Sequence, residues 1–420
     1  MIARDESWSP LADRRLGLLA AALAIGLFFA AWSALHQGFF ARHQILDTPV
    51  YERYGDAIAR GVVPYRDVQV EYPPAALPTF VLPSLVVREG DLHQYRRVFE
   101  ALMALCGAAA TGLVVLLLLR DAARPMRLFL GGALAAASPV ALGSVVLSRY
   151  DLWPAALTAA ALAALVSGRD RLALGALGLA AVAKVYPLAL LPIALVWIAR
   201  RSGGRAALLG LVAFIATAAS CAVPFLALAP GGIWHVTVRQ VTRPLQIESL
   251  GAAILLAAHR AGGLGVTVES SHGSQNLAGP GADAVGAIQS GLLLVALVAV
   301  WAWFARGPAD RDRLFRASAA GVCAFVAFGK VFSPQFLIWL IPLVPLVRGK
   351  RGLAAGGLFL AAMVLTQLWF PYRYWRLAID LDPLASWLVL ARDLALLMLL
   401  AVLVSPEPVR RRARAGAGMT

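Results

Sequence analysis

Residues 128–166 have the sequence LFLGGALAAASPVALGSVVLSRYDLWPAALTAAALAALV, in which two apolar runs flank the polar residues SRYD at 148–151. Residues 172–199 have the same arrangement, with KVYP at 184–187 between two apolar runs. A helix that is apolar on all sides belongs in a membrane or a protein core, because it has no face suited to water. Each segment therefore predicts a helical hairpin with a polar tip, and short helices are acceptable where their ends are covered by protein.

The remainder of the chain has the same character. Of its 420 residues, 60% are hydrophobic and 15% are charged, whereas a soluble domain has about 45–50% apolar and about 25% charged residues. The mean hydropathy is +0.73. These values exclude a soluble enzyme. The three cysteines lie far apart in apolar runs and match no metal or disulfide spacing.

Twelve apolar runs predict an all-α, polytopic membrane protein. A bilayer crossing takes about 20 residues, so residues 16–35 are interpreted as an uncleaved first helix and several later runs are short. We expect about 12 transmembrane helices in a single membrane domain spanning 1–420. The runs lie near 16–35, 96–119, 128–147, 152–166, 172–184, 187–199, 205–224, 283–305, 317–330, 335–347, 353–370 and 384–404.

Basic clusters between these runs predict the topology. Lys and Arg concentrate in cytoplasmic loops, and twelve crossings place every cluster, and both termini, on that side. The predicted inner segments carry 22 basic and 8 acidic residues, whereas the remainder carries 16 and 15. The net charge of +15 is therefore a topology signal rather than a nucleic-acid surface. The clusters are Arg14-Arg15, 120–127, Arg169 with Arg171, 200–205, 306–316, 348–351 and 410–414.

Two long polar segments, 36–95 and 225–282, are predicted outer loops without a core of their own. Residues 50–60 predict a short amphipathic surface helix. Residues 75–87 are apolar but too short to span, so they predict a helix lying in the membrane interface. Any chemistry must then be assembled from outer loops and helix ends.

Polar and ionisable residues collect on this predicted outer face. Such groups beside apolar segments are functional candidates, because a charge in the membrane costs several kcal/mol. Carboxylates together with cations suit a site that binds an amphipathic anion, such as a phosphate headgroup, while one carboxylate acts as a base. The candidates are Asp47, Asp56, Glu71, Tyr72, Arg149, Asp151, Lys184, Tyr186, His235, Arg239, Arg243, Gln246, Glu248, Lys330, Ser333 and Gln335.

Each candidate also has a simpler interpretation. Asp47 can be a solvated loop acid, and Lys184 can extend to the interface. Arg149 and Asp151 can pair with each other, as charges in membranes usually do. The pair Arg392-Asp393, inside the last apolar run, is interpreted as structural.

Five blocks, taken together and in order, resemble glycosyltransferase family 87, the polyprenyl-phosphate-mannose-dependent mannosyltransferases with the multi-spanning GT-C fold. The resemblance extends from about residue 16 to 405. The blocks are DTPVYERYGDAIARGVVPYRDVQVEYPP (47–74), SRYDLWPA (148–155), GLAAVAKVYPLALLP (178–192), TRPLQIESLGA (242–252) and GKVFSPQFLIWLIPL (329–343).

The resemblance implies transfer of a hexose, expected to be mannose, with inversion, to a glycolipid or glycan on the outer face of the cytoplasmic membrane. Asp47 then matches the general base, with Asp56 and Glu71 as weaker candidates. Sugar hydroxyls would bind Glu71-Tyr72 and Gln246-Glu248, and the 75–87 segment would help to admit the polyprenyl tail. The cations expected to stabilise the leaving phosphate are Lys184, Arg149, Arg239, Arg243 and Lys330.

The expected partners are membrane lipids, the polyprenyl-phosphate sugar as co-substrate and the acceptor, without nucleic acid, metal or other cofactor. The acidic pair in IDLDP (379–383) is attributed to chance. An arabinofuranosyl or other prenyl-linked sugar transferase remains an alternative. So does a lipid or solute transporter, although the chain shows no inverted repeat.

Overall fold

The computed structural model describes residues 10–406. The first half of the chain forms α1 (Pro10–Ala34), α2 (Gly38–Arg42), α3 (Thr48–Ala59), α4 (Leu77–Val86), α5 (Leu92–Arg120), α6 (Pro125–Leu142), α7 (Leu152–Val166), α8 (Asp170–Ala183), α9 (Leu191–Ser202) and α10 (Gly204–Leu228). The second half forms α11 (Pro230–Val241), α12 (Leu250–Gly262), β1 (Thr267–Ser271), β2 (Ser274–Ala278), α13 (Ala282–Arg306), α14 (Arg311–Ala327), α15 (Gly349–Trp369), α16 (Tyr374–Asp380) and α17 (Pro383–Val404). Turns of 3₁₀ helix occupy Pro74–Ala76, Ser144–Leu147, Tyr186–Leu190, Pro334–Leu340 and Val344–Leu346.

Within residues 10–406, seven helices are long and apolar enough to cross a membrane: α1, α5, α6, α10, α13, α15 and α17. The all-α, multi-pass fold class is thereby confirmed. The other five predicted runs form α7, α8, α9, α14 and the 3₁₀ turns between 334 and 346, all of which are shorter. Full crossing by those five stays a prediction.

The short helices bring polar tips into the protein. At a rise of 1.5 Å per residue, the 15 residues of α7 extend about 22 Å, which is less than the roughly 30 Å hydrocarbon core. The tip before α7 is buried: Arg149 is 6% exposed and Asp151 is 0% exposed. Neighbouring elements cover this tip, and charges removed from water in this way need polar partners.

The predicted cytoplasmic clusters share one end of the helical bundle. Asp121 accepts a hydrogen bond of 2.6 Å from Arg127 and also pairs with Arg348. Arg311 donates to the carbonyl of Arg120 (2.6 Å), and Arg200 donates to that of Gly307 (2.6 Å). These contacts bring the predicted clusters 120–127, 200–205, 306–316 and 348–351 to one end of the bundle, while the predicted cluster 410–414 lies outside the described residues.

At the opposite end, α3 and α4 form the predicted pair of short outer helices. The helix α3 is amphipathic and buries Tyr51, Tyr54 and Gly55. Tyr51 stacks on Phe80 of α4, with ring centroids 4.3 Å apart. The two backbones approach closely at Gly55, where a Cβ atom would overlap the Phe80 carbonyl oxygen and the Ser84 hydroxyl.

Replacing Gly55 with Ala is expected to destabilise the protein by about 1–3 kcal/mol, because the added methyl group forces the two helices apart. A lower apparent Tm in detergent, with reduced activity, is the expected measurement. Gly26→Ala on α1 is the matched control, since a Cβ there meets nothing within 4 Å. Equal melting temperatures for the two variants would contradict the close packing.

The hairpin of β1 and β2 is an element that the all-α prediction lacked. Thr267 pairs with Ala278 and Ser271 with Ser274, so the turn is the two-residue His272-Gly273. Both turn residues have positive φ (53° and 68°), as a type I′ hairpin turn requires. Leu277 donates to Leu245 (2.8 Å), and the amide of Ile247 donates to the carbonyl of Gln275 (3.1 Å). The hairpin thereby fixes segment 245–248, which carries two candidate site residues.

Candidate active site

Asp47 occupies the position just before α3 and is held by charge. Its carboxylate pairs with the Arg149 guanidinium, and the Tyr51 hydroxyl donates to it at 3.4 Å. The Asp47 side chain is 30% exposed, whereas the Arg149 side chain is 7% exposed. Asp47 is therefore oriented by a buried cation and is still accessible to a ligand. A solvated loop acid would lack the orienting cation.

The segment before Asp47 is fixed to the tip before α7. The hydroxyls of Ser144 and Ser148 donate to the carbonyls of His43 and Ile45, each at 3.1 Å. The Arg96 guanidinium donates to the Gln44 side chain. Because these contacts come from both sides of the segment, the position of the Asp47 carboxylate is set by the fold rather than by a mobile loop.

Lys184 and Asp151 form the second ion pair. Lys184 Nζ lies 3.0 Å from Asp151 Oδ1, and the Trp339 indole donates to the same oxygen at 2.7 Å. The ammonium also lies 4.3 Å from the centroid of the Tyr150 ring, a cation–π geometry. The simpler interpretation, in which Arg149 and Asp151 pair with each other, is therefore wrong. Each of the two residues pairs with a residue from another element.

Tyrosine rings connect the two ion pairs. The ring of Tyr72 lies 5.4 Å from those of Tyr51 and Tyr150. The Tyr65 hydroxyl donates to the carbonyl of Tyr72 at 2.6 Å. Burial is the main cause that raises the pKa of Tyr72 above its ordinary value, so this hydroxyl stays protonated and can donate to an oxygen of a ligand.

Glu248 lies in a buried polar group beside these pairs. The Gln246 amide donates to the Glu248 carboxylate and, at 3.0 Å, to the Ser333 hydroxyl. Arg392 of α17 donates to the carbonyl of Glu248. Burial raises the pKa of Glu248 to about 7, against the opposing charges of Arg392, Arg149 and Arg243. The side chain can therefore exchange a proton near neutral pH.

This pKa predicts a pH-dependent stability. From pH 4.5 to about 7 the folded protein holds the Glu248 proton and the unfolded chain has released it, so stability falls as pH rises through this window and levels off above it. The loss is on the order of 3 kcal/mol. Glu248→Gln should remove this slope in melting experiments between pH 5 and 8. Glu269→Gln, at an exposed position of β1, is the control, and a wild-type slope in Glu248→Gln would contradict the assignment.

Three further cations border the site. Arg239 Nη2 pairs with Glu71 Oε1 at 2.9 Å. Lys330 Nζ donates to the carbonyl of Val241 at 3.0 Å. Arg243 has a buried Nε without a hydrogen-bond partner among the described residues, and burial lowers its pKa despite the charges of Glu71 and Glu248. Arg243 is thus a cation with a free donor atom.

A comparison with protein families now bears on this arrangement. The model of glycosyltransferase family 87 matches residues 71–334, which is 264 of the 420 residues. The chain belongs to glycosyltransferase family 87. The match of this family 87 enzyme includes Glu71 and Ser333, and Asp47 lies outside the matched residues.

The fold also has a similar solved structure. It is that of ArnT from Cupriavidus metallidurans bound to undecaprenyl phosphate, with a TM-score of 0.49 and 16% identity over 92% of this chain and 76% of that one. No curated protein matches the sequence.

Three candidates of the family 87 enzyme make no hydrogen bond or ion pair with this cluster in the described part of the chain, and a fourth lies behind it. The Asp56 carboxylate accepts from the amide of Gly90 (3.3 Å) at the far end of α3. His235 is exposed on α11, and Gln335 is half-buried without a hydrogen-bond partner within residues 10–406. Tyr186 is buried behind the site, where it stacks on Trp339 at 4.4 Å. It supports the indole that holds Asp151.

Sequence reasoning missed several residues of the site. Tyr51 follows Asp47 by four positions, so a helix start at 48 would have indicated their contact. Trp339 and Tyr150 stood in the quoted blocks but carried no charge to single them out. Arg392 was interpreted as structural; it does pair with Asp393 at 2.8 Å, but it also reaches Glu248.

Within residues 10–406, no group of three His, Cys, Asp or Glu side chains is placed to hold a metal ion. One of the two acids of IDLDP, Asp382, has a structural role. Asp382 accepts from the amide of Ala385 at 2.8 Å, which caps α17, and pairs with Arg373 at 3.4 Å.

In chemical terms the site combines two accessible carboxylates, those of Asp47 and Glu71, with buried cations. Both Nε of Arg149 and Nε of Arg243 are buried without a hydrogen-bond partner in the described part of the chain. Unpartnered buried donors are costly unless a ligand satisfies them. Guanidinium groups bind phosphate oxygens by two parallel hydrogen bonds, so a phosphate ester is the ligand that this arrangement fits.

Proposed function

We propose that this membrane glycosyltransferase moves a hexose, which we assign as mannose, from a polyprenyl-phosphate sugar to a glycolipid or glycan hydroxyl, with inversion. The observation that carries the proposal is Asp47, an accessible carboxylate paired with buried Arg149 and adjacent to the Lys184–Asp151 pair. The polyprenyl donor is supported by family membership and by a phosphate-type site at the ends of membrane helices.

The proposed step is a single displacement. Asp47 takes the proton of the acceptor hydroxyl while the oxygen of that hydroxyl forms a bond to the anomeric carbon. The bond from that carbon to the phosphate oxygen breaks, and the electron pair leaves with the polyprenyl phosphate. Attack from the face opposite the leaving group inverts the anomeric configuration. General-base assistance of this kind contributes about 10²–10⁴-fold.

The cations stabilise the leaving phosphate in this proposal. Arg243 and Arg149 have the unpartnered donor atoms, and Lys184 adds a point charge beside them. Because the fold already holds these cations in place, no free energy is spent on reorganising them as the phosphate leaves. Tyr72 and the Gln246–Glu248 pair are the groups that we assign to the sugar hydroxyls.

We also propose that the site faces the outside of the cytoplasmic membrane. The basic loops gather at the opposite end of the bundle, and such loops are retained in the cytoplasm. Cysteines introduced at exposed positions 269 and 311 test this orientation. An impermeant thiol reagent added to intact cells should label position 269 and not position 311.

The transfer assay uses the full chain in nanodiscs with radiolabelled polyprenyl-phosphate mannose and octyl glycosides of mannose, glucose and galactose. The expected result is an octyl disaccharide of inverted anomeric configuration. Polyprenyl-phosphate arabinose is the second donor. If product forms only with the arabinose donor, the donor sugar is arabinose rather than mannose. Absence of product from both donors would overturn the proposed function.

A further inference from the structure

Three aromatic side chains form an open surface at the site end of the bundle, which we name the Phe39 cluster: Phe39, His43 and Tyr372. The ring centroids of Phe39 and Tyr372 are 4.2 Å apart, and those of His43 and Tyr372 are 4.9 Å apart. Phe39 is 57% exposed. Within residues 10–406, neither the Tyr372 hydroxyl nor the His43 ring makes a hydrogen bond to the protein.

The cluster shares a stretch of chain with the proposed catalytic carboxylate. His43 precedes Asp47 by four residues, in the segment that Ser144 and Ser148 hold in place. Tyr372 precedes Tyr374 by two residues, and burial, followed by the charge of Glu248, raises the pKa of the Tyr374 hydroxyl, with a smaller effect of Asp47. The aromatic surface therefore adjoins the segment that carries Asp47, through His43 and the Tyr372 ring packed on it.

The cluster differs in chemistry from the rest of the site. The cations suited to a phosphate are on other elements, namely the tips before α7 and after α8, segment 242–249 and segment 329–336. The Phe39 cluster has no carboxylate or guanidinium and offers ring faces with hydrogen-bonding atoms at their edges. A neutral, hydroxyl-rich ligand suits such a surface better than a phosphate does.

We propose that the Phe39 cluster binds the terminal sugar ring of the acceptor and presents its hydroxyl to Asp47. A pyranose has an apolar C–H face, which packs on the negative face of an aromatic ring, and hydroxyl edges, which hydrogen-bond to His and Tyr. The inference rests on the proposed function and extends it by assigning the acceptor subsite and a saccharide as its ligand.

The test separates stacking from simple hydrophobicity at position 39. Phe39→Leu keeps an apolar side chain but removes the ring, whereas Phe39→Tyr keeps the ring. Phe129→Leu is the matched control, because Phe129 is 68% exposed on α6 and outside the cluster. Each variant is assayed with polyprenyl-phosphate mannose and octyl mannoside for acceptor KM, donor KM, kcat and donor hydrolysis in the absence of acceptor.

Phe39→Leu is expected to raise the acceptor KM about three- to tenfold, while the donor KM and donor hydrolysis stay at wild-type values. Tyr372→Leu should do the same, and Phe39→Tyr and Phe129→Leu should behave as wild type. An unchanged acceptor KM in Phe39→Leu would show that the ring is only an interfacial anchor. An equal loss of donor hydrolysis would show a structural role, and either result overturns the proposal. If the wild type transfers no sugar, the proposed function itself fails, and the subsite assignment fails with it.

Discussion

Asp47→Asn is expected to lower the rate of sugar transfer by about 10²–10⁴-fold, the usual contribution of a general base. Asparagine has nearly the same shape but cannot accept the acceptor proton. Donor KM should change little, because the proposed phosphate ligands are Arg243, Arg149 and Lys184 rather than Asp47. Initial rates in nanodiscs, together with donor binding, measure both effects.

Two matched variants make this result interpretable. Asp283→Asn makes the same change at an exposed position in the first turn of α13 and should transfer sugar at the wild-type rate. Asp47→Glu retains a carboxylate but displaces it, and a displacement of about 1 Å can lower a rate roughly 10²-fold. Near-wild-type transfer by a folded Asp47→Asn protein would rule out Asp47 as the base.

The second large effect is expected at Lys184. Lys184→Met leaves Asp151, whose side chain is 1% exposed, as an unpaired buried charge. Removing one partner of a buried ion pair destabilises a protein by about 3–5 kcal/mol, so the apparent Tm should fall clearly. Transfer should fall as well, because a cation beside the leaving phosphate is lost.

The double variant Lys184→Met with Asp151→Asn separates these two causes. Removing both charges should restore much of the stability, since a neutral amide still accepts the hydrogen bond from Trp339. Transfer should stay low, because the cation is still absent. Recovery of both stability and transfer in the double variant would mean that Lys184 serves only to stabilise the fold.

Much of the architecture followed from the sequence, for identifiable reasons. In lipid every backbone polar group must be bonded within the chain, so each long apolar run has to be a helix. The blocks around Asp47, Arg149 and Lys184 were expected on one face because charges collect at helix ends rather than in hydrocarbon. The hairpin of β1 and β2 was missed, because its turn is His272-Gly273 rather than the Asn-Gly or Asp-Gly pair that marks such turns in a sequence.

What the sequence determined by itself is thus the helical class, the sorting of basic loops to one end and the polar blocks at the other. Only the tertiary structure decided the partners within those blocks. Arg149 and Asp151 are two residues apart, yet Arg149 pairs with Asp47 and Asp151 with Lys184. The physical reason is that a buried charge pairs with the opposite charge that helix packing places beside it. The spacing of residues along the chain does not predict how distant segments pack.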